Sequence, residues 1–314
     1  MKISTKILAA YKTSKYGSKA ANCADSFAIS PDGLKLAVAD GVSKSYLPKY
    51  VADALTSIYV SDEFKGGEIF NDENATPLLS KVIKYWDEKS KELEASVDED
   101  TRFDLEDQRE LYGMGASTFA GINLGEDAFT FDVLGDSCIF LFPYDAYLQP
   151  MILTSMPSEV DMGQKFPFQC NFGVHPHFLD TKGRIVGEPL ENSIPPFDGI
   201  IVLATDAMSD WICRHYVNGQ IGQLLQNFTN LNSPEEFADY INVLRDQDLK
   251  NDDVAIVIAE VNIHADVDSL KIYDESLNID TKTDNTHQTV ETGQETDADN
   301  PTNMDSIQKD TDEN

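Results

Sequence analysis

STFAGINLGEDAFTFDVLGDSCIFLF, residues 117 to 142, holds three short runs rich in β-branched and aromatic residues, separated by two glycine-led corners. The runs are Ser117 to Asn123, Ala128 to Leu134 and Cys138 to Phe142, and the corners are Gly125-Glu126-Asp127 and Gly135-Asp136-Ser137. Glycine tolerates the backbone conformations that tight turns need, and connections this short join antiparallel neighbours, so the stretch reads as a meander. The pattern recurs outward in both directions. Ala24 to Ser30 and Leu34 to Ala39 flank the tight-turn signal Pro31-Asp32-Gly33, and further runs cover Gln149 to Thr154, Ile200 to Ala204 and Val254 to Val261.

Helical patterns come in blocks and do not alternate with the strands. One covers Pro48 to Val60 and Pro77 to Ala95, where Leu78, Leu79, Val82, Ile83 and Trp86 recur at helical spacing. Another follows the late strand, where Ser233-Pro234-Glu235-Glu236 supplies an N-cap, a proline at the first helical position and a capping glutamate ahead of Phe237, Tyr240, Ile241 and Leu244. Runs of strands with runs of helices indicate an α+β layered domain. Trp86 and Trp211 read as packing residues, and the charged stretch Lys89 to Asp107 as a solvated helix end and loop.

The chain has 314 residues, 41 % of them hydrophobic and 10 % aromatic, enough for a sizeable core. Its 24 basic against 55 acidic side chains leave a formal charge of −31, which argues against nucleic acid or an anionic membrane as a partner. Divalent cations and basic protein surfaces suit that field better. No apolar run approaches the roughly 18 residues that span a bilayer, and Ile7 to Tyr11 is too short for a signal-peptide core, so the expectation is a cytoplasmic protein. Cys23, Cys138, Cys170 and Cys213 are scattered without a CxxC pair and read as reduced thiols. From His264 onward Asp, Glu, Thr, Asn and Gln dominate; residues 264–314 carry 14 acidic and 3 basic side chains and are expected to be a disordered acidic tail behind a folded domain of residues 1–263.

Chemistry is signalled by carboxylates at strand ends. Leu34 to Ala39 runs into Asp40-Gly41, Ile200 to Thr205 runs into Asp206, and Asp252-Asp253 opens Val254 to Ile258. Strand ends are rigid, and three carboxylates set there by one sheet could converge on a hard cation that takes oxygen ligands. Each aspartate taken alone is most simply a cap on a strand or a turn. Asp210 stands one helical turn after Asp206, so both can face one pocket. No cysteine-x5-arginine loop, no Gly-rich loop ending in Lys-Ser or Lys-Thr and no serine-hydrolase elbow is present. His175-Pro176-His177 could bind a transition metal, but no third N or S ligand lies near in sequence, and the segment Ser155 to Pro196 reads as a loop.

Taken in order, these motifs resemble the metal-dependent protein phosphatases of the PPM, or type 2C, family, in its divergent bacterial form, over about residues 6 to 262. The resemblance is carried by Asn22-Cys23-Ala24-Asp25-Ser26-Phe27, Val38-Ala39-Asp40-Gly41-Val42, Gly115-Ala116-Ser117-Thr118, Leu134-Gly135-Asp136-Ser137, Leu203-Ala204-Thr205-Asp206-Ala207 with Asp210, and Asp252-Asp253-Val254-Ala255. It implies a four-layer α-β-β-α sandwich of two mostly antiparallel sheets. It also implies that Asp40 bridges two Mn2+ or Mg2+ ions, that Gly41 offers its carbonyl, and that Asp206 and Asp252 complete one metal's ligands. Asp25 would act through water, and Asp136 and Asp210 would hold a third, weaker metal. The implied reaction is hydrolysis of phosphoserine and phosphothreonine in a phosphorylated protein by a metal-activated water, with Asp40, Asp206 and Asp252 as the catalytic set and a Ser/Thr kinase as a cognate partner.

The family's phosphate-clamping arginine is missing, and Lys19 and Lys44 are the nearest cations for a substrate phosphate; a lysine holds phosphate as a point charge without the bidentate fork. Ala24 stands where a Glu or Gln is common, and Ala207 stands in place of Gly. Two readings from different classes follow. Asp40, Asp206 and Asp252 favour an active phosphatase; the lost arginine favours a catalytically weak or inactive module that binds a phosphorylated or basic partner.

Overall fold

In the computed structural model the described residues are 2–61, 63, 66–156, 172 and 177–264. Two five-stranded antiparallel sheets stack face to face between two layers of helix. The first sheet contains β1 (Lys2–Thr13), β7 (Cys138–Pro143), β8 (Met151–Leu153), β12 (Gly199–Ala204) and β13 (Val254–His264), in the order β1-β13-β12-β7-β8. The second has the order β11-β6-β5-β3-β2, built from β2 (Ser26–Ile29), β3 (Lys35–Ala39), β5 (Phe119–Leu124), β6 (Phe129–Leu134) and β11 (Leu190–Ile194). A small third sheet joins β4 (Ala116–Ser117), β9 (Phe178–Asp180) and β10 (Ile185–Val186).

Alternation of side chains along the strands feeds three apolar layers. Leu36, Val38, Ile122, Ile139, Leu141, Ile201, Leu203 and Val257 fill the space between the two sheets. On the outer face of the second sheet, Ala37, Ala39, Phe119 and Leu134 pack against α1 (Pro48–Tyr59) and α2 (Asp72–Ser96) through Val51, Leu55, Leu78 and Val82. On the outer face of the first, Phe140, Val202, Ile256 and Ile258 pack against α4 (Asp206–Val217), α5 (Ile221–Thr229) and α6 (Pro234–Arg245). Val38 and Ala37 are neighbours that serve different layers, as period-two geometry requires. Three apolar interfaces between four layers make this the α+β sandwich expected from the motifs. Each fully buried Phe or Leu contributes about 1.5–3 kcal/mol by leaving water.

The reading of residues 117–142 as one meander holds only for its first hairpin. β5 pairs with β6 in the second sheet, whereas β7 crosses to the first, so the Gly135 corner joins the two sheets. Gly135 has φ +99°, and a Cβ there would stand 2.4 Å from the His177 carbonyl oxygen, so no other residue fits the corner without displacing backbone. Ser233 caps α6 through the Glu236 amide as read, while the Glu236 carboxylate accepts from the Asn232 amide, one residue before the cap. Two expectations change. Asn71 accepts from the Glu73 and Asn74 amides and starts α2 at Asp72, ahead of Pro77. The stretch Lys89 to Asp107 is helical almost throughout, ending α2 and opening α3 (Glu99–Tyr112), which Asp98 caps. Trp86 and Trp211 pack in the core layers as read.

No helix among the described residues is long and apolar enough to cross a membrane. Cys23, Cys138 and Cys213 are buried, and Cys170 and His175-Pro176 lie outside the described residues. So does the expected tail, apart from His264, which still pairs with Lys2 at the end of β13.

Candidate metal centre

Strand register gathers the aspartates. Ala204, the last residue of β12, pairs with Cys138 at the start of β7 on one side and with Ile256 near the start of β13 on the other. Asp206, Asp136 and Asp252, each two residues beyond a strand end, therefore emerge at one edge of the first sheet. In the second sheet Ala39 at the end of β3 pairs with Ser26 at the start of β2, which places Asp40 beside Asp25. The Gly135 corner brings the two edges together. A cavity of about 420 Å³ opens there, lined by Asp40, Asp136, Asp206 and Asp252 with Val42, Lys44, Thr118 and Lys250.

The backbone around Asp40 is tied down. Its carbonyl accepts from the Ser117 hydroxyl at 2.7 Å and from the Thr118 amide at 2.9 Å, and Gly41 bridges to Ser117. The Gly115 to Thr118 motif thus acts as the clamp for the Asp40 turn. Asp206 begins α4, where its carboxylate faces the unpaired amides of the first turn and accepts from the Ala207 amide at 2.5 Å. The pair Asp252-Asp253 splits. Asp252 faces the cavity, whereas buried Asp253 accepts from the Lys15 and Ala24 amides, both at 2.7 Å, and so anchors the loop that carries Asp25.

The carboxylates perturb one another. Asp25 is raised well above the usual range, by burial first and then by the charges of Asp206 and Asp253, with Thr205 acting in the opposite direction. Asp40 is raised likewise, by burial and by the charges of Asp25, Asp206, Asp136 and Asp252. Asp136 is pushed up to about 7 by burial and Asp206, and burial raises Asp206 as well. Asp132, away from the cavity on β6, is also pushed up to about 7 by burial.

A carboxyl whose pKa is raised on folding stabilises most below its ordinary value near 4, and that contribution is lost as pH rises through about 7. In the presence of a chelator, the melting temperature should fall between pH 5 and pH 8. Asp136→Asn should flatten part of that slope and raise the melting temperature at pH 8, by an amount on the order of a few kcal/mol of stability at most. Differential scanning calorimetry across the series checks both; a melting temperature constant or rising over this range contradicts the electrostatics described.

Not every sequence-derived candidate reaches the cavity. Lys44 lines it, with an exposed side chain. Lys19 is exposed ahead of the short turn Ala20–Asn22 and is not among the lining residues. Asp210 is likewise absent from the wall: its carboxylate pairs with Arg214 at 2.9 Å, one turn further along α4. His177 lies apart from the cavity, 3.4 Å from the Ser155 hydroxyl. Lys250 was not singled out by the sequence, although it stands two residues before Asp252. Met114, Phe172 and Phe178 form an apolar wall that no motif announced.

Among the described residues, no three His, Cys, Asp or Glu side chains already close to coordinating geometry. The donor set nevertheless suits a hard divalent cation. Its members are all carboxylates, and Asp25 Oδ2 and Asp136 Oδ1 are buried without a hydrogen-bond partner, a costly state that a cation or its water would relieve.

No protein-family model and no curated protein matches the chain. Solved structures do. Serine/threonine phosphatase Stp1 from Staphylococcus aureus is 13 % identical, with TM-score 0.48, over 84 % of this chain and 96 % of that one. The catalytic domain of the serine threonine protein phosphatase PstP, in complex with 2 manganese ions, is 18 % identical, with TM-score 0.46, over 83 % of this chain and all of that one. The S. agalactiae serine/threonine phosphatase is 16 % identical, with TM-score 0.45, over 82 % and 100 %. All three are bacterial serine/threonine phosphatases. The likeness is distant in sequence.

Proposed function

We propose that this chain is a metal-dependent phosphoprotein phosphatase acting on phosphoserine and phosphothreonine. The observation that carries the reading is the convergence of Asp40, Asp136, Asp206 and Asp252, from both sheets, on one cavity whose buried carboxylate oxygens are partly unpartnered. Asp40, Asp206 and Asp252 would hold Mn2+ or Mg2+, with the Gly41 carbonyl, Asp25 and Asp136 in support. When bound, such ions lower the pKa of a water and neutralise charge developing on the phosphoryl oxygens. The chain's own residues would do the rest. The Ser117–Thr118 clamp keeps Asp40 aimed, so no reorganisation is needed as charge develops. Lys44 presents an exposed ammonium at the wall for a phosphoryl oxygen, and Met114, Phe172 and Phe178 offer an apolar surface to the substrate backbone or side chain.

In this reading residues 1–263 form the catalytic domain and 264–314 an acidic appendage, in the cytoplasm, with a Ser/Thr kinase generating the substrate. Hydrolysis of phosphothreonine and phosphoserine peptides in Mn2+, in Mg2+ and in EDTA tests it. Turnover is expected with either metal, none with EDTA, and recovery when metal is restored. Absence of turnover on every phosphopeptide and on a small aryl phosphate at saturating Mn2+ would favour the second reading, a weak or inactive module that binds a phosphorylated or basic partner. One observation supports that alternative: a lysine ammonium bridges Asp206 and Asp252.

A further inference from the structure

That lysine is Lys250. Its Nζ lies 2.5 Å from Asp206 Oδ2 and 2.9 Å from Asp252 Oδ2, so one ammonium is shared by two carboxylates from different strand ends. The backbone that carries it is pinned on both sides. Leu249 is buried and its amide donates to the Leu244 carbonyl, the Asp252 amide donates to the Lys250 carbonyl at 2.9 Å, and Arg245 donates to the Asp252 carbonyl at 2.6 Å. The four-carbon side chain itself lines the cavity, and about half of its surface is exposed.

We propose that Lys250 is a tethered cation that competes with a divalent metal for Asp206 and Asp252. The inference rests on reading these two carboxylates as metal ligands. In the metal-free chain the ammonium offsets their mutual repulsion. A divalent ion between the same oxygens would stand within a few ångströms of the ammonium, where like charges repel strongly, so the two cannot share the place. Metal entry therefore requires the lysine to swing toward solvent, which its long flexible stem and exposed flank permit. The carboxylate set thus binds metal more weakly than it would without Lys250, by the fraction of the chain in which the ammonium occupies the two carboxylates.

Isothermal titration of Mn2+ into the full chain tests this without recourse to activity. Lys250→Met keeps the apolar stem and removes the charge. It should bind Mn2+ about tenfold or more tightly than the parent, the scale of a lost charge-assisted hydrogen bond, while its metal-free melting temperature falls. Lys250→Gln should behave the same way and serves if the methionine variant folds poorly. Lys250→Arg, which keeps the charge, should retain the parental affinity. Equal or weaker binding by the neutral variants, with normal uptake by the parent, overturns the role of the lysine alone. Tightening by Lys250→Arg as much as by Lys250→Met would mean that bulk and not charge is at issue, and also overturns it. No uptake by parent or neutral variants overturns the proposal together with the metal-hydrolase reading.

Discussion

Asp40→Asn should lower kcat/KM for phosphothreonine peptides by about 10^3-fold or more, the scale expected when a group that stabilises developing charge is lost from a preorganised site. Asn keeps the shape of the side chain but not its charge, and the Asp40 backbone is held by Ser117 and Thr118 independently of the carboxylate. The turn should survive. Because Asp40 is pushed up by burial and by four neighbouring aspartates, its neutral replacement relieves repulsion, and the metal-free protein should melt at a higher temperature than the parent at pH 8. Loss of activity with a raised melting temperature and weakened Mn2+ binding in a calorimetric titration is the expected combination. Retained Mn2+ affinity would remove Asp40 from the metal centre.

The second large effect concerns packing behind the site. A Cβ at Gly41 would stand 2.8 Å from Pro48 Cβ, 2.9 Å from the Ala24 carbonyl oxygen and 3.0 Å from Ala24 Cβ. The glycine is needed for space, since the start of α1 and the loop before β2 close on it from both sides. Gly41→Ala must move backbone, at a cost of about 1–3 kcal/mol, which in a domain of this size lowers the melting temperature by roughly 2–12 °C. The displaced loop carries Asp25 and its neighbour is Asp40, so Mn2+ affinity should fall together with stability. Gly222→Ala is the control: nothing lies within 4 Å of its added methyl inside α5, and helix propensity makes it neutral or slightly stabilising. Equal melting temperatures for Gly41→Ala and the parent would show that this corner is loose.

Much of the fold could be read from local patterns, and what escaped has a common cause. The corner Gly135-Asp136-Ser137 was visible because a turn is a local event, decided by a few residues. β1 was not, because Lys2–Thr13 is an edge strand of mostly half-buried residues whose partner, β13, lies some 250 positions away in the chain. The small strands β9 and β10 fall in a stretch of mixed polarity read as a loop, and they exist by pairing with β4 and with each other. The end of α2 and the whole of α3 were obscured by charge: with only Leu105 buried in α3, there is little apolar periodicity to see.

The site divides along the same line. The sequence by itself determined which carboxylates stand at strand ends, because an apolar run followed by Asp is a local statement about where a strand leaves the core. Tertiary structure alone decided what each one faces. Asp252 and Asp253 are adjacent and chemically identical, yet one lines the cavity and the other anchors the loop before Asp25, since successive residues entering a strand point to opposite sides. Asp210 is one turn from Asp206 but turns to Arg214; Lys44 reaches the cavity wall and Lys19 does not. Lys250 carries no motif at all. Its place between Asp206 and Asp252 arises because the register of β12 with β13 brings two strand ends, nearly fifty residues apart in the chain, within reach of one ammonium, and electrostatic attraction over a few ångströms then selects the contact.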